Sequence, residues 1–355
     1  MILYTHIVTD ESLGEENMVK VGVIGCGYWG AKLARNFHEL PDAQLEWVAD
    51  MSQERLDHIH SLYPQVQTTR DYHDLLGSDV DAVAIATPVS THYCLAVQAL
   101  LAKKHVLVEK PLTAGVREAE EIVALAKHQG HVLMVEHTFE YNPAVEAMKT
   151  VLNSGELGEI YYINGIRVNL GLFQTDINVL WDLAPHDVSI LAYVLSAMPE
   201  SVSARGEAYV QRERHIHDIV HLTLHFPNHV MADVRVSWLD PCKIRRYTIV
   251  GSRKMLVYDD LEPENKILIY DKGVDAPPHS DTEEQFRLSY RYGDATPYPV
   301  TWSEPLKAAC QHFLDCIRDK KVPRSNGEVG LKVVRVLEAA QRSLMDGGRK
   351  EPILC

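Results

Sequence analysis

The feature that most constrains this chain is the run Val19-Lys20-Val21-Gly22-Val23-Ile24-Gly25-Cys26-Gly27-Tyr28-Trp29-Gly30, followed by an amphipathic pattern from Ala31. A short apolar strand, a Gly-x-Gly-x-x-Gly turn and a helix, in that order, is the local context that dinucleotide binding requires. Gly25 allows the sharp turn off the strand, Gly27 lets the backbone approach a diphosphate, and Gly30 lets the helix pack on the strand. The helix N-terminus adds about half a positive charge. The turn alone is weak evidence, since strand-to-helix turns are often glycine-rich. A second strand, residues 45–50, ends in Asp50, about 20 residues on, where a carboxylate accepts hydrogen bonds from an adenosine ribose. Together these point to a nicotinamide dinucleotide. Asp50 repels a 2′-phosphate and no arginine follows it directly, which favours NAD over NADP. The competing reading is a glycine-rich turn in a doubly wound domain that holds another ligand.

From Val19 to about His137, short apolar strands alternate with helical patterns. Helices are expected at 32–40, 53–62, 71–76, 92–102 and 117–128, and strands at 80–86, 105–110 and 132–135. This alternation predicts a parallel sheet covered on both faces, a Rossmann-type α/β domain, with ligands at the carboxyl ends of its strands. Beyond Tyr141-Asn142-Pro143 the pattern changes. After a helix at 144–152, strands dominate at 160–169, 202–211, 216–226, 230–238, 244–250, 255–258 and 267–270, with a helix inserted at 187–195. The expectation is an α+β domain with a large antiparallel sheet, closed by helices at about 304–319 and 327–345. Residues 272–300 carry no clear pattern. The expected organisation is an extension at 1–17, a dinucleotide domain at 18–137 and a substrate domain at 138–355, which suits the 355-residue length.

Bulk properties exclude several classes. A net charge of −14 repels nucleic acid and anionic lipid, so an anionic ligand needs a local cluster of positive charge. The first residues lack a basic stretch and carry Asp10, Glu11, Glu15 and Glu16, so no secretory signal is expected. The longest apolar run of the second half, near 188–198, is too short to span a bilayer. Six cysteines, with no Cys-x-x-Cys pair, suit reduced thiols in the cytoplasm and give no metal framework.

The polar residues of interest sit at the predicted strand ends: Thr87-Pro88 with His92, Glu109-Lys110-Pro111, and His137. A further motif, Trp181-Asp182-Leu183-Ala184-Pro185-His186-Asp187, follows in the second domain. With the glycine turn and Asp50, these motifs resemble the Gfo/Idh/MocA family (glucose–fructose oxidoreductase, inositol dehydrogenase, MocA), across nearly the whole chain from Met18. The resemblance implies a pyridine-nucleotide oxidoreductase acting on a sugar, cyclitol or related hydroxyl compound. It also implies an open-faced sheet that packs on a second subunit as a homodimer or homotetramer.

Under that resemblance the cofactor-binding candidates are Gly25, Cys26, Gly27, Tyr28, Trp29, Gly30, Asp50, Thr87, Pro88, His92, Glu109 and Lys110. Cys26 and Tyr28 are assigned backbone contacts alone. The catalytic candidates are Lys110, Asp182 and His186. A strand-end lysine stabilises an alkoxide-like oxygen as hydride leaves, or else it is an ordinary lysine turned to solvent. Asp182 and His186 lie one helical turn apart and share a face. The carboxylate orients the imidazole, which takes the hydroxyl proton. The alternative is a helix cap beside a satisfied interior histidine in a chain with 18 of them. The roles of His186 and Lys110 are open to exchange. Candidate substrate contacts add His137, Arg167, Asn169, Trp181 and Arg245. Their plainer readings are a turn residue, the solvent face of a sheet, core packing, and a solvated strand with Lys243 and Arg246.

The substrate expected by analogy is a nucleotide-linked sugar oxidised at a secondary hydroxyl, at C3. The alternatives are a free cyclitol or aldose, a member that retains NAD and assists elimination or glycoside cleavage, and a non-catalytic NAD-responsive regulator. A regulator has no need of Lys110 and His186 together.

Overall fold

The structure, a computed structural model, describes residues 18–275 and 289–354. The expected extension at 1–17, part of the unpatterned stretch 272–300, and Cys355 lie outside the described residues. The chain forms two compact units. The first comprises residues up to Glu109 together with 124–134 and 309–323. The second comprises residues 110–123, 135–308 and 324–355.

The first unit carries the alternating part of the chain. Its elements are β1 (Val19–Ile24), α1 (Tyr28–Glu39), β2 (Ala43–Ala49), α2 (Gln53–Leu62), β3 (Gln67–Thr69), α3 (Tyr72–Leu76), β4 (Ala82–Ile85), α4 (Val89–Leu101) and β5 (His105–Glu109), followed in the chain by α5 (Val116–Gln129) and β6 (Leu133–Glu136). The strands form one sheet in the order β3-β2-β1-β4-β5-β6. The pairs β2–β3, β1–β2, β1–β4 and β4–β5 are all parallel. The order reverses beside β1, where β2 lies on one side and β4 on the other. That crevice is where open α/β sheets take ligands. The four residues of β4 are all buried, as expected of a strand covered on both faces. On α1, Leu33, Ala34 and Phe37 are fully buried at helical spacing, and burying Leu33 and Phe37 contributes about 1.5–3 kcal/mol each. Phe37 meets Phe313 edge-on with centroids 6.5 Å apart.

The second unit holds α6 (Pro143–Asn153), β7 (Ile160–Val168), α7 (Val179–Leu195), β8 (Ser201–Glu207), β9 (Ile219–His225), β10 (Met231–Ser237), β11 (Ile244–Gly251), β12 (Met255–Asp259), β13 (Ile267–Asp275) and β14 (Ser289–Pro297). Then come α8 (Pro305–Arg318), divided between the units, α9 (Gly327–Met345) and β15 (Glu351–Pro352). The strands make a nine-stranded sheet in the order β14-β13-β12-β11-β7-β10-β9-β8-β15. It is mostly antiparallel, but β7 and β10 run parallel. One face packs on helices through Ile163, Val188, Leu191, Leu222, Val234, Tyr247, Val336 and Leu337, all buried. Alternation along β9 and β10 turns His221 and Met231 the other way, where they are exposed.

Besides the short strands β3 and β15, which the sequence does not suggest, two elements differ from expectation for a physical reason. Helix α7 begins at Val179, well before residue 187, because the Asn178 side chain accepts the Trp181 N–H at 3.3 Å and caps the first turn. Pro185 inside the helix hides this continuity, since proline ordinarily ends a helical pattern. Within 272–300, β13 runs to Asp275 and β14 pairs with it from Ser289. The sequence Ser-Tyr-Arg-Tyr-Gly-Asp-Ala-Thr-Pro has weak strand propensity, so pairing with β13 decides it. No helix of the described residues is long and apolar enough to cross a membrane.

Candidate active site

In the first unit the glycine turn is built as its spacing requires. Gly25 has φ +86°, a left-handed conformation that favours glycine. A Cβ on Gly30 would stand 1.8 Å from the Gly25 carbonyl oxygen, so the turn closes only with glycine there. Gly27 is different. A Cβ on it would meet no protein atom closer than the Arg55 guanidinium at 3.8 Å. Its bare Cα therefore serves something other than protein packing. Gly27 is also the N-cap of α1, and no side chain caps that helix. The positive end of the helix is thus left without a side-chain cap and suits an anionic group.

Asp50, at the end of β2, braces this turn. Its Oδ2 accepts the Cys26 N–H at 2.7 Å and its Oδ1 the Ser52 N–H at 2.8 Å, with Arg55 Nη1 at 3.5 Å. Burial resists ionisation of Asp50, but the two N–H groups and Arg55 outweigh it and hold the carboxyl below its ordinary value. Burial, reinforced by Asp50, pushes the Cys26 thiol up to about 12, so it stays neutral. Tyr28 and Trp29 are exposed, with Lys32 Nζ 4.0 Å and 4.6 Å from their ring centroids. After β4, Thr87 bonds Thr91 side chain to side chain at 2.7 Å, Pro88 caps α4, and buried His92 places Nε2 2.9 Å from the Thr87 carbonyl. Glu109 is buried at the end of β5.

The second unit begins with Lys110, whose peptide bond to Pro111 is cis. Lys110 Nζ donates to the Asp182 carbonyl at 2.7 Å and to Asp182 Oδ1 at 3.2 Å. Asp182 Oδ2 accepts the Trp238 indole N–H at 2.9 Å. The carboxylate is thus clamped between an ammonium and an indole, one turn before His186 on α7. The His186 ring meets Phe139 edge-on at 5.2 Å, and its buried Nδ1 has no partner among the described residues. Burial first, then the charges of Lys110, Arg167 and Arg245, drives His186 well below its ordinary pKa. These effects favour its neutral imidazole form. His137 is buried with neither ring nitrogen partnered, and burial with Lys110 pushes it down to about 3.

Two charge networks flank Phe139, the first of them buried. Arg167 Nε donates to Asp187 Oδ2 at 2.8 Å, and the Tyr247 hydroxyl donates to Asp187 Oδ1. Arg245 donates to Asp260 Oδ2 at 3.2 Å, and Tyr258 donates to Asp260 Oδ1 at 2.8 Å. The two guanidinium carbons lie 4.5 Å and 5.8 Å from the Phe139 ring centroid. Lys110, Asp182, His186, His137, Arg167 and Arg245 are therefore gathered in one unit. Of the other two candidates, Trp181 is bonded through its indole N–H, which donates to Gln341 on α9 at 3.2 Å, and Asn169 through its backbone N–H, which donates to the Ser237 carbonyl at 3.2 Å.

Comparison with known proteins places this geometry. Residues 19–137 match an oxidoreductase family with an NAD-binding Rossmann fold, and residues 145–257 match the Gfo/Idh/MocA C-terminal domain. A solved protein of Magnetospirillum magnetotacticum MS-1 is 32% identical, with a TM-score of 0.76 over 91% of this chain and 99% of that one. The chain belongs to the Gfo/Idh/MocA oxidoreductase family. Another member, UDP-N-acetylglucosamine 3-dehydrogenase of Acidithiobacillus ferrooxidans, is 29% identical over 324 residues, covering 89% of this chain and 94% of that protein. Its solved structure aligns with a TM-score of 0.77 over 93% of this chain and 98% of that one. The NAD-dependent scyllo-inositol 2-dehydrogenase of Bacillus subtilis is 24% identical over 320 residues, covering 87% of this chain and 89% of that protein.

The matched family model is that of an NAD-binding Rossmann domain, and the first unit fits that cofactor. The open space over Gly27, the uncapped start of α1 and the ionised Asp50 suit a diphosphate and a ribose. Each Asp50 oxygen keeps a second lone pair after its backbone bond. Among the described residues, no group of three or more His, Cys, Asp or Glu could hold a metal ion. The sequence alone assigns no role to Trp238, Phe139, Asp187, Tyr247 and Glu136, although Asp187 closes the 181–187 motif. Of these, Glu136 carried a signal, a carboxylate ending an apolar strand directly before His137.

Proposed function

We propose that this protein is an NAD-dependent dehydrogenase that oxidises a secondary hydroxyl of a sugar, with a nucleotide-linked sugar attacked at C3 as the preferred substrate. The observation that carries the reading is the clamped triad of Lys110, Asp182 and Trp238, one helical turn from a half-buried His186 held toward its neutral form. Residues 18–137 serve the cofactor and residues 138–355 the substrate. Asp50 takes the adenosine ribose, and the start of α1 with Gly27 takes the diphosphate. Bound NAD supplies the hydride acceptor.

The rest is done by the chain. His186, held neutral, accepts the hydroxyl proton, a contribution typically of about 10²–10⁴-fold. Lys110 donates a hydrogen bond to the same oxygen as negative charge grows on it. Asp182 sets the direction of the Lys110 ammonium, and Trp238 fixes Asp182. His137, with both ring nitrogens unpartnered, and Arg245 are suited to further hydroxyl or phosphate oxygens. The C3 preference and the nucleotide rest on the likeness to the UDP-N-acetylglucosamine 3-dehydrogenase. A free cyclitol is the second reading, favoured by the likeness to scyllo-inositol 2-dehydrogenase. Exposed Tyr162 and Met231, on the face of the sheet turned from its helices, support association with a second copy.

The test is the appearance of NADH absorbance with purified protein, NAD and a panel of nucleotide-linked sugars, free sugars and inositols. Lys110→Ala and His186→Ala run in parallel, each expected to lower kcat by at least about 100-fold. Turnover of inositols alone would transfer the assignment to the cyclitol. Turnover that survives both substitutions would remove the proposed chemistry.

A further inference from the structure

Four buried polar atoms around Lys110 have no partner among the described residues: Glu136 Oε1, both ring nitrogens of His137, and His186 Nδ1. All three residues feel the Lys110 charge. Native proteins leave few such atoms, and their concentration in one place calls for a cause. Substrate hydroxyls account naturally for the two imidazoles. Glu136 is another matter. It ends β6, the neighbour of β5, whose last residue precedes Lys110. It is 2% exposed. The Thr138 hydroxyl donates to Oε2 and so fixes the carboxyl, leaving Oε1 as its open oxygen. A buried carboxyl with one open oxygen, on the strand end next to that of Lys110 and within the field of its ammonium, is built to take up a proton.

We propose that Glu136 is the proton-accepting residue behind the Lys110–His186 pair, the group that carries the substrate-derived proton away from the site. This rests on the dehydrogenase reading above. In oxidation the substrate O–H bond breaks and an N–H bond forms on His186, while the hydride goes to NAD. The imidazolium then gives its proton to Lys110, and the Lys110 ammonium, turned from Asp182 toward Oε1, gives one of its own to Glu136, so that an N–H bond breaks and an O–H bond forms at Oε1. His186 and Lys110 return to their starting forms, and Glu136 is left neutral until it releases its proton to solvent. Glu136 acts through Lys110 and His186 and is a positioning residue for protons.

The energetics run in the required direction. His186 is held well below its ordinary pKa, so its imidazolium is a strong donor. Burial pushes Glu136 up to about 7, against the opposing effects of Thr138 and Lys110. His137, pushed down to about 3, does not compete for the proton. The charged and titratable groups facing Glu136 are Lys110 at the end of β5, the adjoining His137, and Glu140 on the turn that follows. Arg324 and Lys149 act in turn on Glu140. Glu140 is also buried and pushed up to about 8, so any measurement must separate the two carboxyls.

The experiment is the pH dependence of kcat for hydroxyl oxidation by the full chain with NAD. The wild type loses rate on the acid side of about pH 7, as Glu136 fills with its proton. Glu136→Gln lowers kcat about 10-fold or more, abolishes that acid limb, and leaves KM for the sugar within about twofold. Glu136→Asp restores the limb and much of the rate. An acid limb that persists unmoved in Glu136→Gln, or a loss in KM with kcat preserved, would overturn the proposal. A second measurement needs neither turnover nor a Glu136 variant. In Glu140→Gln protein, infrared difference spectra across neutral pH should show one buried protonated-carboxyl band disappearing near pH 7. Absence of that band would refute the proton-accepting role even if no sugar is ever turned over. Its presence without turnover would place the failure in the substrate assignment instead.

Discussion

Replacing Trp238 by phenylalanine tests the clamp on Asp182 directly. The indole N–H donates to Asp182 Oδ2 at 2.9 Å from a side chain that is only 1% exposed. A hydrogen bond to a charged acceptor is worth about 1.5–3 kcal/mol net. The Asp182 side chain is 23% exposed, so water recovers part of that, leaving about 1–2 kcal/mol. Lost from the arrangement that holds Lys110, this lowers kcat/KM by about 5–30-fold, since 1.4 kcal/mol is tenfold in rate. The smaller ring also leaves a cavity costing roughly 1–3 kcal/mol of folding stability. Initial rates read the first effect and thermal denaturation the second. Leu224→Ala on the same sheet is the control. Its side chain is buried, so stability falls by about 2–5 kcal/mol while kcat/KM stays within about twofold. If Trp238→Phe is destabilised yet as active as wild type, Asp182 does not depend on the indole and the clamp is not part of the chemistry.

Two further outcomes follow from the same geometry. Gly27→Ala should fold normally, since its new methyl meets nothing closer than 3.8 Å, yet weaken NAD binding measured by titration calorimetry; Gly30→Ala, whose methyl would sit 1.8 Å from a carbonyl oxygen, should cost the fold itself. Burial raises Glu140 to about 8, so the folded chain binds more protons than the unfolded chain between about pH 4.5 and 8. This contribution to stability is present below about pH 4.5 and is lost as pH rises to about 8. Glu140→Gln should flatten the loss by an amount on the order of a few kcal/mol, read from denaturant midpoints at several pH values.

What was legible in the sequence is what is local. The glycine turn and Asp50 lie within one strand–turn–helix–strand unit, and their spacing carries their geometry. Lys110 and the 182–186 turn were marked by short motifs. Trp238 bonding Asp182 joins residues separated by 56 positions, and no periodicity announces it. The Arg167–Asp187–Tyr247 array draws on β7, α7 and β11, whose only shared property is the fold that brings them together. Trp181 illustrates the limit from the other side. An aromatic beside Asp182 invites a stacking role, but nothing local announces that its indole N–H donates to Gln341 on a helix far along the chain. Likewise β14 has little strand character of its own, so only its partner could reveal it.

The placement of β7 has a consequence for how the protein comes into being. It is the earliest strand of its unit in the chain, yet it lies in the interior of the sheet, flanked by β10 and β11. Both neighbours are made much later, and Arg167 faces Arg245 across one of those pairings and Val236 across the other. Contacts of such long range form slowly, because the loops they close must be ordered first. A nascent chain or partly folded species therefore holds Arg167 without its Tyr247-braced carboxylate, and His186 without the burial and the charges that favour its neutral form. Activity should appear in a refolding experiment only with the last long-range pairing, which makes catalysis itself a reporter of complete folding.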